Sequence, residues 1–312
     1  MKKIPVILDC DPGVDDIAAI ILAKNIGHFD IKAVTTVAGN VELASCTKNG
    51  LEVLDFLGWD VPLAEGAAKP LTLELVTAAH IHGASGMGGL SLPSTTKKPI
   101  TKPAWDVIYD IACEHKGELE IVAVGPLTNI ARAFKRDPDL PQLVENLYIS
   151  GGTIDAPGNI TATAEFNIFC DPVSARYVLQ APCHKLLVPL DVTNRTLFTL
   201  THFGMLPDES KKIGSLLRNI LLPAFRAYRQ CYGIEGIHIN DLIAFMAALH
   251  PECALQKSLP VDVETEGNLT KGMTVFDRRN RPDFRNLVEV VIRLDGDAIL
   301  QNVFARLANI DV

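Results

Sequence analysis

The chain has 312 residues, 48% of them hydrophobic, 21% charged and 6% aromatic, and 29 Lys+Arg against 37 Asp+Glu give a formal net charge of −8. This length allows one large or two average domains with a sizeable core, and this hydrophobicity excludes a disordered chain. An acidic balance without Lys/Arg clusters argues against nucleic acid or an anionic membrane surface as the main partner.

In chain order, the opening MKKIPVILDCDPG carries an apolar run of five residues before Asp9, too short for a signal peptide. Residues 4–8 read as a strand covered on both faces. The run stops at DCDPGVDD, and 17–24 continues as a helix. Residues 31–37 (IKAVTTV) are a β-branched strand ending at Gly39-Asn40, followed by a helix at 42–57 and a weaker strand at 61–64. LPSTTKKPITKP (92–103) reads as a surface loop. Beyond it come a helix at 104–115, a strand at 119–124 (LEIVAV) ending at Gly125-Pro126, and a helix through Lys135. A strand at 147–150 ends in Gly151-Gly152, and 186–190 precedes Asp191. Helices are expected at 210–228 and 241–249, and region 259–294 alternates like late β-strands. Strand–helix alternation predicts a single-domain α/β fold over 1–312, with a mostly parallel Rossmann-like sheet flanked by helices and a late antiparallel addition.

No apolar stretch approaches membrane-spanning length; 17–23 and 242–249 are the longest. The seven cysteines include no CxxC pair and no zinc-type cluster, which predicts a reduced, cytoplasmic protein. Cys10 and Cys170 are expected as small buried thiols.

Polar residues gather at the carboxyl ends of the predicted strands: Asp9, Asp11, Asp15 and Asp16, then Asn40, then Thr128-Asn129. In open α/β sheets that edge binds ligands. The segment 9–16 packs four carboxylates into eight residues. Helix capping accounts for Asp15 or Asp16 but not for all four, because clustered anions need a cation or a proton to relieve their repulsion. An EF-hand would place a bidentate Glu at the twelfth loop position, where this chain has Ile20. A DxD phosphatase nucleophile fits Pro12-Gly13 and the additional Asp15-Asp16 pair poorly. Hard oxygen donors favour Ca²⁺ or Mg²⁺ over zinc.

DCDPGVDD, VTTVAGN, HIHGASGMGG, VGPLTNIA, GNITATAEFN and TKGMTVFDRRN follow one another along nearly the whole chain. Together they resemble the inosine–uridine-preferring nucleoside N-ribohydrolase family. The resemblance implies hydrolysis of the N-glycosidic bond of ribonucleosides at a bound Ca²⁺. It implies that Asp11 is an ion ligand and the general base on a calcium-bound water, that Asp16 is a bidentate ligand, and that Asp15 accepts from the ribose hydroxyls. The Val124 carbonyl matches the backbone ligand, and Asp241 matches the distal carboxylate that closes the shell and touches the 3′-hydroxyl. Asn40, Asn159, Glu165 and Asn167 match residues that hold the ribose, the last three around its 5′ end and hydroxyls, while Phe166 packs against the sugar. His82 matches a residue near the nucleobase, and His80 is expected to pack beneath its loop. A homodimer or homotetramer is implied as well.

The chain departs from the family at the leaving-group side. Many members carry His before the distal Asp, whereas this chain has Asn240, whose amide donates hydrogen bonds but cannot deliver a proton. His238, two residues upstream, is the substitute candidate. Tyr228 and Tyr232 either contact a base or pack their helix. Ser150 stands where Met is common. The glycines at 83, 86, 88 and 89 read as a mobile flap or as a plain surface loop. The expectation is a calcium-dependent ribonucleoside hydrolase releasing free nucleobase and ribose, tilted toward pyrimidine nucleosides. The alternatives are hydrolysis of another ribosyl substrate (a modified nucleoside or nicotinamide riboside) and a catalytically weak nucleoside-binding protein.

Overall fold

The aliphatic run that opens the chain becomes the strand around which the sheet is built. In the computed structural model, which describes residues 2–308 and 310, β1 (Ile4–Cys10) has Val6, Ile7 and Leu8 wholly buried, as a strand covered on both faces requires. A turn leads into α1 (Val14–Lys24), followed by β2 (Phe29–Thr36), α2 (Leu43–Phe56), β3 (Leu63–Glu65) and the single turn α3 (Ala79–His82). Next come α4 (Ala104–Glu114), β4 (Leu119–Ala123), α5 (Thr128–Arg136), β5 (Val144–Ser150), the short α6 (Phe166–Cys170), α7 (Pro172–Gln180) and β6 (Lys185–Val188). The remainder comprises α8 (Leu190–Thr193), α9 (Leu200–Gly204), α10 (Lys212–Tyr232), α11 (Asn240–Leu249), β7 (Ala254–Val263), β8 (Thr274–Phe276), β9 (Leu287–Leu294) and α12 (Gly296–Ala308).

Among the described residues, nine strands form one sheet in the order β3-β2-β1-β4-β5-β6-β9-β7-β8. Pairings from β3 across to β9 are parallel, and β7 runs antiparallel to both β8 and β9. This is the single-domain α/β architecture expected, with its antiparallel addition late in the chain. The chain builds outward from β1 to β2 and β3, then restarts on the other side of β1 with β4. The carboxyl ends of β1 and β4 therefore flank a topological switch point, where the connections leave in opposite directions and a crevice opens.

One helix stands out. Every residue of α1 from Val14 to Ala23 is buried, because α1 lies inside a cluster shared with α10, α11 and α12. Each fully buried Ile or Leu there contributes about 1.5–3 kcal/mol, so Ile17, Ile20, Ile21 and Leu22 fix the helix whose first turn carries Asp15 and Asp16. On the opposite sheet face, α4, α5 and α7 enclose a second apolar cluster with Ile121, Phe134, Leu147 and Val178 at its centre.

Several boundaries differ from the sequence reading. Leu190 does not extend β6 but starts α8, after Pro189. The long helix runs on to Tyr232 and stops at Gly233, whose φ of +68° is the left-handed conformation that ends helices. The reading missed α7 and α12, although Asp171-Pro172 is a cap followed by Pro at the first helical position: Asp171 accepts from the Ser174 N–H at 3.0 Å. Cys10 and Cys170 are buried thiols, as expected. Among the described residues, no helix is long and apolar enough to cross a membrane.

Candidate active site

The strand-to-helix turn after β1 is folded around Asp16. Its Oδ2 accepts from the Gly13 N–H at 2.9 Å, and its Oδ1 accepts from the Asp11 N–H at 3.2 Å. Asn40, just past β2, ties this turn to the next strand. Its main-chain N–H donates to Asp11 Oδ2 at 2.7 Å and its Nδ2 donates to Asp16 Oδ2 at 2.9 Å. Asp241, in the first turn of α11, joins from the far end of the sequence: its N–H donates to Asp15 Oδ2 at 3.3 Å, and its Oδ1 accepts from Ser150 Oγ at 3.2 Å. Ligand atoms of Asp15, Asp16 and Asp241, all buried, lie within 4.8 Å of one another.

These anions are in an unfavourable state on their own. Burial, and then the charge of Asp16, hold the Asp11 carboxyl well above the usual carboxylate range. Burial and the charge of Asp15 push Asp16 up to about 7 and raise Asp241 as well. Asp11 Oδ1 is buried with no hydrogen-bond partner. Clustered hard oxygens, their raised affinity for positive charge and one orphaned carboxylate oxygen fit a divalent cation of the Ca²⁺ or Mg²⁺ type. Asp11 stands slightly apart from the other three acids, toward β4: a Cβ placed on Gly125 would fall 2.7 Å from its Oδ1. The Val124 carbonyl, just past β4, accepts from Asn167 Nδ2 at 2.8 Å.

Behind the turn lies a polar support that holds the ends of β1 and β2 to the start of α5. Asp9 Oδ1 accepts from Thr35 Oγ1 and, at 2.8 Å, from Asn129 Nδ2, and Asn129 also donates to the Thr36 carbonyl at 3.0 Å.

The acids open into a cavity of about 220 Å³. Asp15, Asn40 and Asp241 lie along one part of its lining, and Asn159, Glu165, Phe166 and Asn167 along another. Glu165 caps α6: its carboxylate accepts from the N–H groups of Asn167 at 2.9 Å, Ile168 at 3.1 Å and Gly152 at 3.1 Å. Asn159 Oδ1 accepts from the Phe166 N–H at 2.8 Å, which closes the loop back onto α6.

The remaining wall comes from α3, the end of α10 and the segment before α11. His82 Nδ1 accepts from the Val14 N–H at 3.1 Å. Burial lowers its pKa, so the neutral ring carries its proton on Nε2 and offers a donor there. The Tyr228 hydroxyl donates to the His238 carbonyl at 3.3 Å, and the Tyr228 ring meets those of Tyr232 and His238 edge-on at 5.3 Å and 5.8 Å. Burial lowers the His238 pKa too, which favours a neutral imidazole. Asn240 lines the cavity beside Asp241.

The structure thus brings every predicted site residue except Asp11, Asp16 and Val124 to the cavity lining, and those three are hydrogen-bonded to the lining residues Asn40 and Asn167. One placement is corrected: His80 is not packed beneath its loop but is exposed at the cavity rim, because the α3 turn rotates Ile81 inward in its place. The Gly-rich loop is anchored. Met87 is buried in the core, Asn49 Nδ2 donates to the carbonyls of Pro12 and Ser85 at 3.0 and 2.7 Å, and a Cβ on Gly88 would sit 2.9 Å from the Ile220 carbonyl oxygen. The sequence reading missed Asn194, which lines the cavity from the end of α8. Its signal was a polar side chain shortly after an apolar strand.

Residues 6–301 match the model of the family described as inosine-uridine preferring nucleoside hydrolase. A non-specific ribonucleoside hydrolase RihC from Salmonella schwarzengrund (strain CVM19633) is 38% identical over 296 residues, covering 95% of each chain. Among solved structures, a plant nucleoside hydrolase (the PpNRh1 enzyme) is 32% identical with a TM-score of 0.94, covering 98% of this chain and 99% of that one. A purine-preferring ribonucleoside hydrolase from Gardnerella vaginalis is 28% identical with a TM-score of 0.91, covering 97% and 98%.

Proposed function

Because the chain belongs to the inosine-uridine preferring nucleoside hydrolase family and is an enzyme that hydrolyses the N-glycosidic bond of ribonucleosides, we propose that it does so as one calcium-dependent domain over residues 1–312, with Asp11 as general base and pyrimidine nucleosides favoured. The observation that carries this reading is the buried cluster of Asp15, Asp16 and Asp241 beside the orphaned Asp11 oxygen at the sheet's switch point. The kinship with hydrolases sets aside a role as a mere nucleoside-binding protein.

Asp11, Asp16, Asp241 and the Val124 carbonyl would hold Ca²⁺. When bound, the ion supplies Lewis-acid chemistry, acidifying a ligand water and balancing the clustered carboxylates. Asp11 takes the proton from the attacking water. Asn40 fixes its Oδ2, so the unpartnered Oδ1 is the oxygen available to receive it. Asp15 and Asp241 accept from the ribose hydroxyls, and Asn40, Asn159, Glu165 and Asn167 hold the sugar with Phe166 against it. Glycosidic cleavage passes through an oxocarbenium-like state, and buried carboxylates beside the ribose stabilise the positive charge that develops there. Such orientation of water, sugar and base is worth up to ~7–11 kcal/mol when the geometry is near attack.

At the leaving group the side chains offer hydrogen bonds in preference to a mobile proton. His82 presents a donor from a neutral ring, His238 is held toward neutrality, and Asn240 is an amide. A departing pyrimidine spreads its charge onto ring carbonyl oxygens that accept such bonds, whereas a purine gains more from outright protonation, hence the pyrimidine tilt. Tyr228 is placed to pack against the base.

Seven free cysteines among the described residues fit a reducing cytoplasm, and the family resemblance supports a homodimer or homotetramer. The reading is tested by incubating the protein with uridine, cytidine, inosine and adenosine and following both reducing-sugar release and free base. Release with uridine fastest is expected. No release from any of the four, despite nucleoside binding, would overturn the proposal.

A further inference from the structure

The cavity wall at residues 157–160 belongs to a loop with no regular structure, yet it is held as firmly as a helix end. Asp191, in the first turn of α8, gathers the start of that loop around one carboxylate. Its Oδ2 accepts from the Ile154 N–H at 2.6 Å and from Thr153 Oγ1 at 3.2 Å, and its Oδ1 accepts from the N–H groups of Asp155 at 2.8 Å and Ala156 at 2.9 Å. Three consecutive main-chain donors converging on one carboxylate form a charge-assisted cradle. Thr274 adds a second tie, accepting from the Thr153 N–H at 2.9 Å and donating to its carbonyl at 2.7 Å. Outside, Arg278 pairs with Asp155 through two bonds of 2.9 and 2.8 Å, but both side chains are more than half exposed, and exposed ion pairs contribute little. At the start of the loop the tie at Asp191 therefore outweighs the one at Arg278, while residues 158–160 are closed by bonds to Ala162 and Ala164.

Asp191 also touches the cavity's construction from another direction. The α8 turn that carries it is joined to the segment just past β5 by the Leu190 N–H donating to the Gly152 carbonyl at 3.0 Å, and it ends at Asn194, which lines the cavity. One short helix thus fixes two parts of the wall, neither of which includes the acids around Asp11.

We propose that Asp191 is a positioning residue for ribonucleoside hydrolysis, holding the 153–160 loop so that Asn159 and Ile160 meet the bound nucleoside. The proposal rests on the hydrolase reading given above. Asp191 itself touches no substrate, so its loss displaces a wall and leaves the cation site intact.

The test compares wild type with Asp191→Ala and Asp191→Asn, measuring kcat and KM for uridine, Ca²⁺ affinity by calorimetry and thermal unfolding. The expected result for the Ala variant is a KM raised ~10-fold and a kcat lowered by at least ~10-fold, the size that a misplaced wall produces, with Ca²⁺ affinity unchanged. The Asn variant keeps one acceptor oxygen and is expected to fall between the two. If the Ala variant does not fold, the Asn variant is read by the same criteria. Variants with kcat and KM within about twofold of wild type, well below a positioning effect, would overturn the proposal, as would Ca²⁺ affinity falling in step with turnover. Wild type that turns over none of uridine, cytidine, inosine and adenosine removes the hydrolase reading instead, and uridine affinity of the same variants then tests Asp191 on its own.

Discussion

The main-chain N–H of Asn40 donates to Asp11 Oδ2 at 2.7 Å, and this bond joins the end of β2 to the residue that would take the proton. It requires the chain to pass very close to the carboxylate, and Gly39 makes the approach possible. A Cβ at that position would lie 2.1 Å from Asp11 Oδ2 and 2.9 Å from Pro126 Cδ. Gly39→Ala is thus expected to push Asp11 out of place and lower kcat by ~100-fold or more, with the fold retained by circular dichroism. A variant with near wild-type kcat would mean that Asp11 has no fixed task.

Ser150 reaches Asp241 from the end of β5 at 3.2 Å. Groups that orient a metal ligand commonly alter metal affinity ~10–100-fold when removed. Ser150→Ala, which leaves the Asp241 N–H bond to Asp15 in place, is expected at the lower end of that range. Calorimetric titration with Ca²⁺ measures it, and unchanged affinity would show that the hydroxyl does not position Asp241.

Glu165 gives a pH signature. Burial pushes its carboxyl up to about 7 against the pull of the main-chain donors around it. Between its ordinary value of 4.5 and about 7 the folded state binds the proton that the unfolded state releases, so this group's contribution to stability is full below that window and is lost as pH rises through it. At ~1.4 kcal/mol per pKa unit, the loss is about 3 kcal/mol. Denaturant titrations of wild type and Glu165→Gln across the window should differ by a slope of this sign. Parallel curves would show that the Glu165 carboxyl does not take up a proton on folding.

Asn240 tests the leaving-group reading. Asn240→His installs a side chain able to deliver a proton, and general acid catalysis contributes ~10²–10⁴-fold where it operates. The ratio of inosine to uridine turnover is expected to rise by ~10-fold or more. An unchanged ratio would show that the amide does not set the proposed base preference.

The parts of this molecule legible in the sequence share one physical cause. Apolar runs such as 4–8 are buried on both faces, and the carboxylates in DCDPGVDD are too close together to be decoration, so both the strand and the site show through in local composition. Asp241 was reachable only through the family resemblance, since 225 residues separate it from Asp16 and only the packing of α11 against α1 brings them together. Asp191 and Ser150 act through hydrogen bonds to groups that are distant in the chain, and such bonds leave no periodic trace. His80 was misplaced because a four-residue turn has no hydrophobic period from which to read its inward face.

Reducing-sugar release from uridine, measured on the native protein, after chelation, and after Ca²⁺ is restored, tests the central claim most directly. Loss of turnover on chelation and its recovery with Ca²⁺ are expected. Full turnover in protein shown by elemental assay to be free of divalent metal would contradict it.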